Sequence, residues 1–267
     1  MKKTILVTGS TDGIGKLAAI KLAKDGHQVC LHGRNPEKLQ RVISDIKAQS
    51  GNENVHRFTA DFSDLHAVNE MAARIKQELS RLDVLINNAG VFESPVSETE
   101  DGFDIRFAVN YFAPYLLTKA LLPLLQNGKA SRILNVSSAA QAPVSPEALR
   151  GDKRLSAREA YAQSKLAMAM WNTHLAKTEP QLIAIVVNPG SLLNTKMVEE
   201  AFGYHQSPAD KGGDVLYELA VSDQYREASG QYFDNDKGAF GSLHADGRDE
   251  GAIAALIKRT EELMKEY

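Results

Sequence analysis

The sequence predicts an α/β fold of the doubly wound kind, a mainly parallel sheet with helices on both faces. Two observations carry that expectation. Short Val/Ile/Leu-rich runs recur at 4–8, 28–32, 55–59, 83–87, 132–136 and 182–187, and they are continuously apolar, as strands buried on both faces are, rather than alternating. Longer stretches with helical spacing lie between them, and strand–helix alternation is the signature of a parallel sheet crossed over by helices. No repeat, low-complexity tract or Pro/Gly/Ser linker offers a place to divide the chain, so residues 1–267 read as one domain.

The elements follow in order. The strand at 4–8 enters a glycine-rich turn and a helix over 16–25. After 28–32, Asn35-Pro36 supplies an N-cap and a proline for the first turn of a helix running towards Gly51. Asp61 ends the third strand, where it could cap the helix after Ser63. The stretch 99–125 is helical in spacing but holds Pro114 and Pro123, which predict a kink and an end. Ser156-Ala157-Arg158-Glu159 has capping-box spacing, so a helix starts near Ala157. Its run 166–171 reads as a buried face or a subunit contact, which leaves a homo-oligomer open.

Composition narrows the function. The 267 residues carry 31 Lys+Arg against 34 Asp+Glu, a net charge of −3, and 43% are apolar. A chain of that length buries a large core without staples. The lone Cys30 excludes an intramolecular disulfide and any multi-cysteine metal site, and is read as a buried thiol. Apolar runs stop at six residues, far short of the roughly 20 that cross a bilayer. The N-terminus enters its first strand without a signal-peptide core or an amphipathic presequence, so the expectation is a cytoplasmic protein with no membrane partner. Scattered basic residues give no reason to expect nucleic acid. The seven histidines lack ligand-pair spacing, and the segment 234–238 lacks the glycine and glutamate of a calcium loop, so no metal is expected and that segment reads as a turn.

Chemistry enters with the first loop, Thr8-Gly9-Ser10-Thr11-Asp12-Gly13-Ile14-Gly15, between a strand and a helix. Glycines there let backbone approach a ligand, and the helix N-terminus favours a pyrophosphate. The spacing is G-x-x-x-G-x-G, not G-x-G-x-x-G. It resembles the nucleotide loop of the short-chain dehydrogenase/reductase family, and further motifs follow in the family's order. Asn87-Asn88-Ala89-Gly90 resembles its N-N-A-G, Asn110 falls at its active-site asparagine, Asn135-Val136-Ser137-Ser138 resembles its serine strand, and Tyr161-x-x-x-Lys165 completes the set. Asn188-Pro189-Gly190 with Thr195 is similar to the sixth-strand exit that holds the nicotinamide. The resemblance implies a Rossmann-type domain and an oxidoreductase. It also implies that the nucleotide is held by residues 8–15, Asp61 and Phe62 at the adenine edge, Asn88, Ala89 and Gly90, Tyr161 and Lys165, and Pro189, Gly190 and Thr195.

The second strand ends His32-Gly33-Arg34-Asn35, with no carboxylate for ribose hydroxyls and a guanidinium suited to a 2′-phosphate, so Arg34 and Asn35 favour NADP(H) over NAD(H). Tyr161 and Lys165, four apart on a helix, share a face. An ammonium and an oxidised nicotinamide beside the phenol would bring its pKa within range of general acid/base work. Ser138, the second serine of its pair, would orient a carbonyl oxygen. Asn110 is implied to hold a water on the proton path. The expected substrate is a small carbonyl or alcohol, with reduction of an activated C=C bond, or a sensor without turnover, as alternatives. Ser138 and Tyr161 are 23 residues apart, longer than the family's commonest spacing and similar to its retinol-dehydrogenase and protochlorophyllide-reductase-like branch. The insertion 139–155 is expected to border the substrate pocket, and 197–206 to form a mobile lid with Met197, Phe202 and Tyr204 facing the substrate.

Overall fold

The computed structural model describes residues 1–128 and 130–267. Among the described residues eight strands form one sheet: β1 (Thr4–Val7), β2 (Gln28–Gly33), β3 (Val55–Thr59), β4 (Val84–Asn87), β5 (Arg132–Val136), β6 (Ile183–Asn188), β7 (Tyr232–Asp234) and β8 (Ala239–Gly241). Their order is β3-β2-β1-β4-β5-β6-β7-β8, parallel throughout except for the β7–β8 hairpin. Among the described residues the α-helices are α1 (Gly13–Lys24), α2 (Pro36–Ser50), α3 (Leu65–Glu78), α4 (Ile105–Phe107), α5 (Ala113–Gln126), α6 (Pro146–Arg150), α7 (Ala157–Thr178), α8 (Lys196–Phe202), α9 (Ala209–Val221) and α10 (Glu250–Leu263). Alternate strand residues feed two cores. Ile5, Val7, Val29 and Leu31 pack with α1, α2 and α9, while Leu6, Cys30 and Leu85 pack with α3, α5, α7 and α10. This is the doubly wound, Rossmann-type arrangement. Burial pushes the Cys30 thiol up to about 12, so it behaves as a small apolar filler.

Two helix starts are those the punctuation specifies, while α1 begins at Gly13, three residues before the expected start. Asn35 caps α2 with Pro36 at its first position, and Gly51 closes it in the left-handed region. Ser156 and Glu159 form both bonds of the capping box at α7. The run 166–171 faces the core.

The stretch 99–125 differs from expectation. Residues 99–104 form a tight turn, closed by Thr99 N–H donating to the Phe103 carbonyl at 2.8 Å. Asp104 then caps α4, and a π-helical segment, Ala108–Phe112, carries the chain into α5. Pro114 lies just beyond this widened segment, which absorbs the irregularity placed there. The helix ends near Pro123, as expected, at Gln126; the proline itself lies inside the last turn, where the carbonyl it frees belongs to the exposed Lys119. Asp61 does not cap α3. Asp64 does, while Asp61 accepts from the N–H and hydroxyl of Ser63 at 2.9 and 2.7 Å. The three-residue strands β7 and β8 carry too few residues to register as apolar runs. Among the described residues no helix is long and apolar enough to cross a membrane.

Candidate active site

The sheet order reverses between β1 and β4, and open α/β sheets take ligands outside the carboxyl ends of the strands at such a switch point. The first loop, the Asn88–Gly90 turn, Ser138 and the Pro189–Gly190 exit leave the ends of β1, β4, β5 and β6 respectively, so the fold delivers them to one edge.

The first loop is packed against its neighbours. Gly9 has φ +63°, and a Cβ there would come within 2.7 Å of the Ala89 Cα; one at Gly15 would meet the Asn88 amide at 2.4 Å. Asn88 Nδ2 donates to the carbonyls of Thr8 and Gly9 at 2.8 and 3.0 Å. The Thr8 hydroxyl accepts from Asn88 and Ala89 N–H at 2.9 and 3.0 Å. Ser10 is wholly buried, its hydroxyl spent on the backbone of His32 at 3.0 and 3.3 Å. Ile14 packs beside Gly212 of α9. Thr8, Ser10 and Ile14 therefore shape the loop with their side chains. The N–H groups of Thr11, Asp12, Ile14 and Gly15 find no protein acceptor among the described residues, and such orphan donors suit an anion.

His32 ties this rim together, a role the letters did not reveal. Its Nδ1 accepts from Gly9 N–H at 3.1 Å, its Nε2 lies 3.1 Å from the Ala60 carbonyl, and its ring stacks on Phe62 at 4.2 Å. Burial lowers its pKa to about 4, and the two bonds fit a neutral ring with the proton on Nε2. Phe62 is spent on this stack and is 4% exposed, so its ring is not available to a ligand. Arg34 is exposed at the rim, with no carboxylate paired to it among the described residues. Asn35 is occupied as the α2 cap, and Lys38 Nζ pairs with Asp12 at 2.7 Å. Thr195 caps α8 with its methyl 3.6 Å from a Cβ built on Gly13.

The sixth-strand exit is braced from the β7–β8 turn. Asn188 Nδ2 donates to Asp234 and Asp236 at 2.9 and 2.8 Å, Asp236 accepts from the N–H and hydroxyl of Ser191, and Asn235 donates to the Pro189 carbonyl at 2.8 Å. Of the segment read as a turn, Asp234 ends β7 and 235–238 form the turn, and the carboxylates of Asp234 and Asp236 hold the Asn188 side chain and Ser191.

Lys165, Asn110, Tyr161 and Ser138 come together. A Cβ at Gly90 would lie 3.2 Å from Asn110 Oδ1 and 3.5 Å from Lys165 Nζ, so the glycine opens the space they share. Lys165 is 3% exposed, and its Nζ donates to the Val136 carbonyl at 2.8 Å and lies 5.5 Å from the Tyr161 ring centre. Burial lowers its pKa to about 8. Burial raises the Tyr161 pKa, and the Ser138 hydroxyl interacting with it draws it back. The two serines divide their work: the Ser137 hydroxyl is committed to the Lys165 carbonyl at 2.7 Å, whereas Ser138 faces the phenol. Asn110 is fully buried in the π segment, a kind of irregularity often found at functional sites. Its amide accepts from Val91 N–H at 2.8 Å and donates to the Val91 carbonyl and the Ser164 hydroxyl, each at 3.0 Å. One lone pair of Oδ1 remains for a water.

The insertion borders this site: Gln141 donates to the Ser138 carbonyl at 3.0 Å, and Ser145 N–H donates to Gln163 at 2.9 Å. Of the residues expected in a lid, Phe202 on α8 reaches Phe92 at 5.6 Å, which in turn stacks on Tyr161 at 4.6 Å. Tyr204 is 53% exposed. No residue of α8 is buried.

Known proteins resemble the chain in sequence and in fold. The family described as short chain dehydrogenase matches residues 3–204. Retinol dehydrogenase 13 of Homo sapiens is 33% identical over 252 residues, covering 87% of this chain and 76% of the relative. Polyprenol dehydrogenase of Homo sapiens is 32% identical over 256 residues, covering 88% and 77%. Among solved structures, one described as a short chain dehydrogenase of Shigella flexneri 2a, complexed with NADP, superposes with a TM-score of 0.72 at 31% identity, covering 87% of this chain and 96% of the other. A family model that matches most of the chain, together with relatives above 30% identity over most of its length, shows that the chain belongs to the short-chain dehydrogenase family of oxidoreductases.

Proposed function

We propose that this chain is an NADP(H)-dependent oxidoreductase that moves a hydride between the nicotinamide and a carbonyl or alcohol carbon of a small apolar molecule, with residues 1–267 acting as one dinucleotide-binding and catalytic domain. The observation that carries the reading is the meeting of Lys165 and Asn110 around Gly90, with Tyr161 and Ser138 beside them, on the same sheet edge as the glycine loop. The loop fits a dinucleotide: its glycines let the backbone turn with positive φ at Gly9 and Gly13 and pack closely on Asn88 and Ala89, and four N–H groups at and just before the start of α1 lack protein acceptors among the described residues. The exposed Arg34, with no acid at the end of β2, supports a 2′-phosphate, and so does the NADP held by the Shigella flexneri relative.

The coenzyme, when bound, supplies the hydride in the reducing direction. Arg34 and the loop N–H groups hold its phosphates, and Lys165 its nicotinamide ribose. The Ser138 hydroxyl orients the substrate oxygen, and Tyr161 gives that oxygen its proton. Lys165 is charged at neutral pH, its lowered pKa of about 8 still lying above 7, and it stabilises the phenolate that Tyr161 becomes. Asn110 holds a water through which the proton is replaced. In the test, NADPH absorbance is followed with a panel of aldehydes, ketones and quinones, for wild type and Tyr161→Phe. The expected result is an alcohol product and a loss of about 10²–10⁴ in kcat for the variant. Coenzyme binding with no Tyr161-dependent oxidation would overturn the enzymatic reading, and a saturated alkene product would overturn carbonyl reduction.

A further inference from the structure

Arg106 is a buried cation that the reaction does not use. It is 5% exposed, and burying a guanidinium is costly unless its N–H groups find acceptors. Its Nε donates to the Phe92 carbonyl at 2.9 Å, and its Nη1 pairs with Asp104 at 3.3 Å. Asp104 is itself held, accepting from the Arg106 N–H at 2.8 Å as the cap of α4. One turn later Asn110 grips Val91 by both its N–H and its carbonyl. Two consecutive residues after Gly90 are thus fixed from one helical segment.

The consequence lies in the next ring. Phe92, 8% exposed, sets its ring 4.6 Å from that of Tyr161 at 47°, and the ring of the exposed Phe202 lies 5.6 Å from that of Phe92. Aromatic pairs prefer such tilted contacts. Phe92 is therefore the ring against which the phenol ring rests.

We propose that Arg106 is a positioning residue: by fixing the Phe92 carbonyl against the Asp104-paired guanidinium, it holds the Phe92 ring on Tyr161 and sets the direction of the phenol towards Ser138. Small displacements of a reacting group cost large factors in rate, which explains an ion pair buried beside a loop carbonyl. The inference rests on Tyr161 being the acid/base of the proposed reaction.

The test is a double-mutant cycle on the full chain, reading kcat and the dissociation constant of NADPH for Phe92→Leu, Arg106→Gln and the pair. Phe92→Leu is expected to lower kcat by about tenfold with NADPH affinity unchanged, and Arg106→Gln to do the same. Because Arg106 acts through Phe92, the double variant should be no slower than Phe92→Leu alone, whereas a general structural role would give additive losses. Additive losses, or a fall in NADPH affinity matching the fall in kcat, would overturn the proposal. If Arg106→Gln does not fold, Arg106→Lys and Phe92→Leu decide it: unchanged kcat in Phe92→Leu overturns it. Tyr161→Phe is measured alongside. Its retaining full turnover would sink the acid/base reading itself, while its inactivity beside an unaffected Phe92→Leu would sink only the role of Arg106.

Discussion

His32 is held neutral by its surroundings, and that makes stability depend on pH. Its folded pKa lies near 4, against an ordinary 6.5, because burial penalises the charged ring. Between those values the unfolded chain binds a proton that the folded chain does not, so stability falls as pH drops from 6.5 towards 4, by about 3 kcal/mol in all. Urea unfolding at pH 7 and pH 4.5 should show that loss in the wild type and a gap smaller by about 2 kcal/mol in His32→Gln; equal gaps would contradict the assignment. Lys165 carries the opposite tension. Its ammonium is buried against one carbonyl, which lowers its pKa to about 8 and taxes the fold at neutral pH. Lys165→Met relieves that burden and leaves the Val136 carbonyl unsatisfied, a cost of about 1–3 kcal/mol. The expected outcome is a Tm at least as high as wild type with turnover lost, measured by calorimetry and NADPH oxidation; a clear drop in Tm would show that the ammonium stabilises the fold.

At the scale of elements, α7 carries both Tyr161 and Lys165, and its start is secured by the Ser156–Glu159 capping box. Ser156→Ala should cost about 1 kcal/mol and lower Tm while leaving kcat nearly unchanged, because the Tyr161 ring is held by Phe92 and faced by Ser138 beyond the first turn. A collapse of kcat at unchanged Tm would mean that the cap orients the phenol directly. The capping box and the Asn35-Pro36 start were legible because each is a local rule connecting residues three or fewer apart. The π segment was not. Asn110 marked a poor helix former and Pro114 an irregularity, yet the widening depends on Asn110 being drawn to Val91 and Ser164, contacts that span 19 and 54 residues.

For the molecule as a whole, the site exists only when four strand ends meet at one edge of a sheet ordered by its crossovers. A coenzyme that bridges them binds the folded state alone, so NADPH at about 100 times its dissociation constant should add about 2.7 kcal/mol, or roughly 5–10 °C in Tm. NADH at the same concentration should give less, and Arg34→Ala should narrow the difference. Equal shifts for both coenzymes in the wild type would remove the role given to Arg34.

The sequence by itself determined the strand–helix alternation, the helix caps and the ordered set of motifs, since these are written in short-range patterns of apolar runs, caps and turns. It also singled out Ser138, Tyr161 and Lys165. Only the tertiary structure decided which side chains are spent on the scaffold and which are left open: Ser10 and Phe62 are used up inside, Ser137 is tied down, His32 and Asp236 turn out to brace the loops, and Arg106 holds the Phe92 carbonyl. Those assignments depend on partners that are dozens of residues away in the chain, and a hydrogen bond or a stacked ring of that kind leaves no local trace in the order of the amino acids.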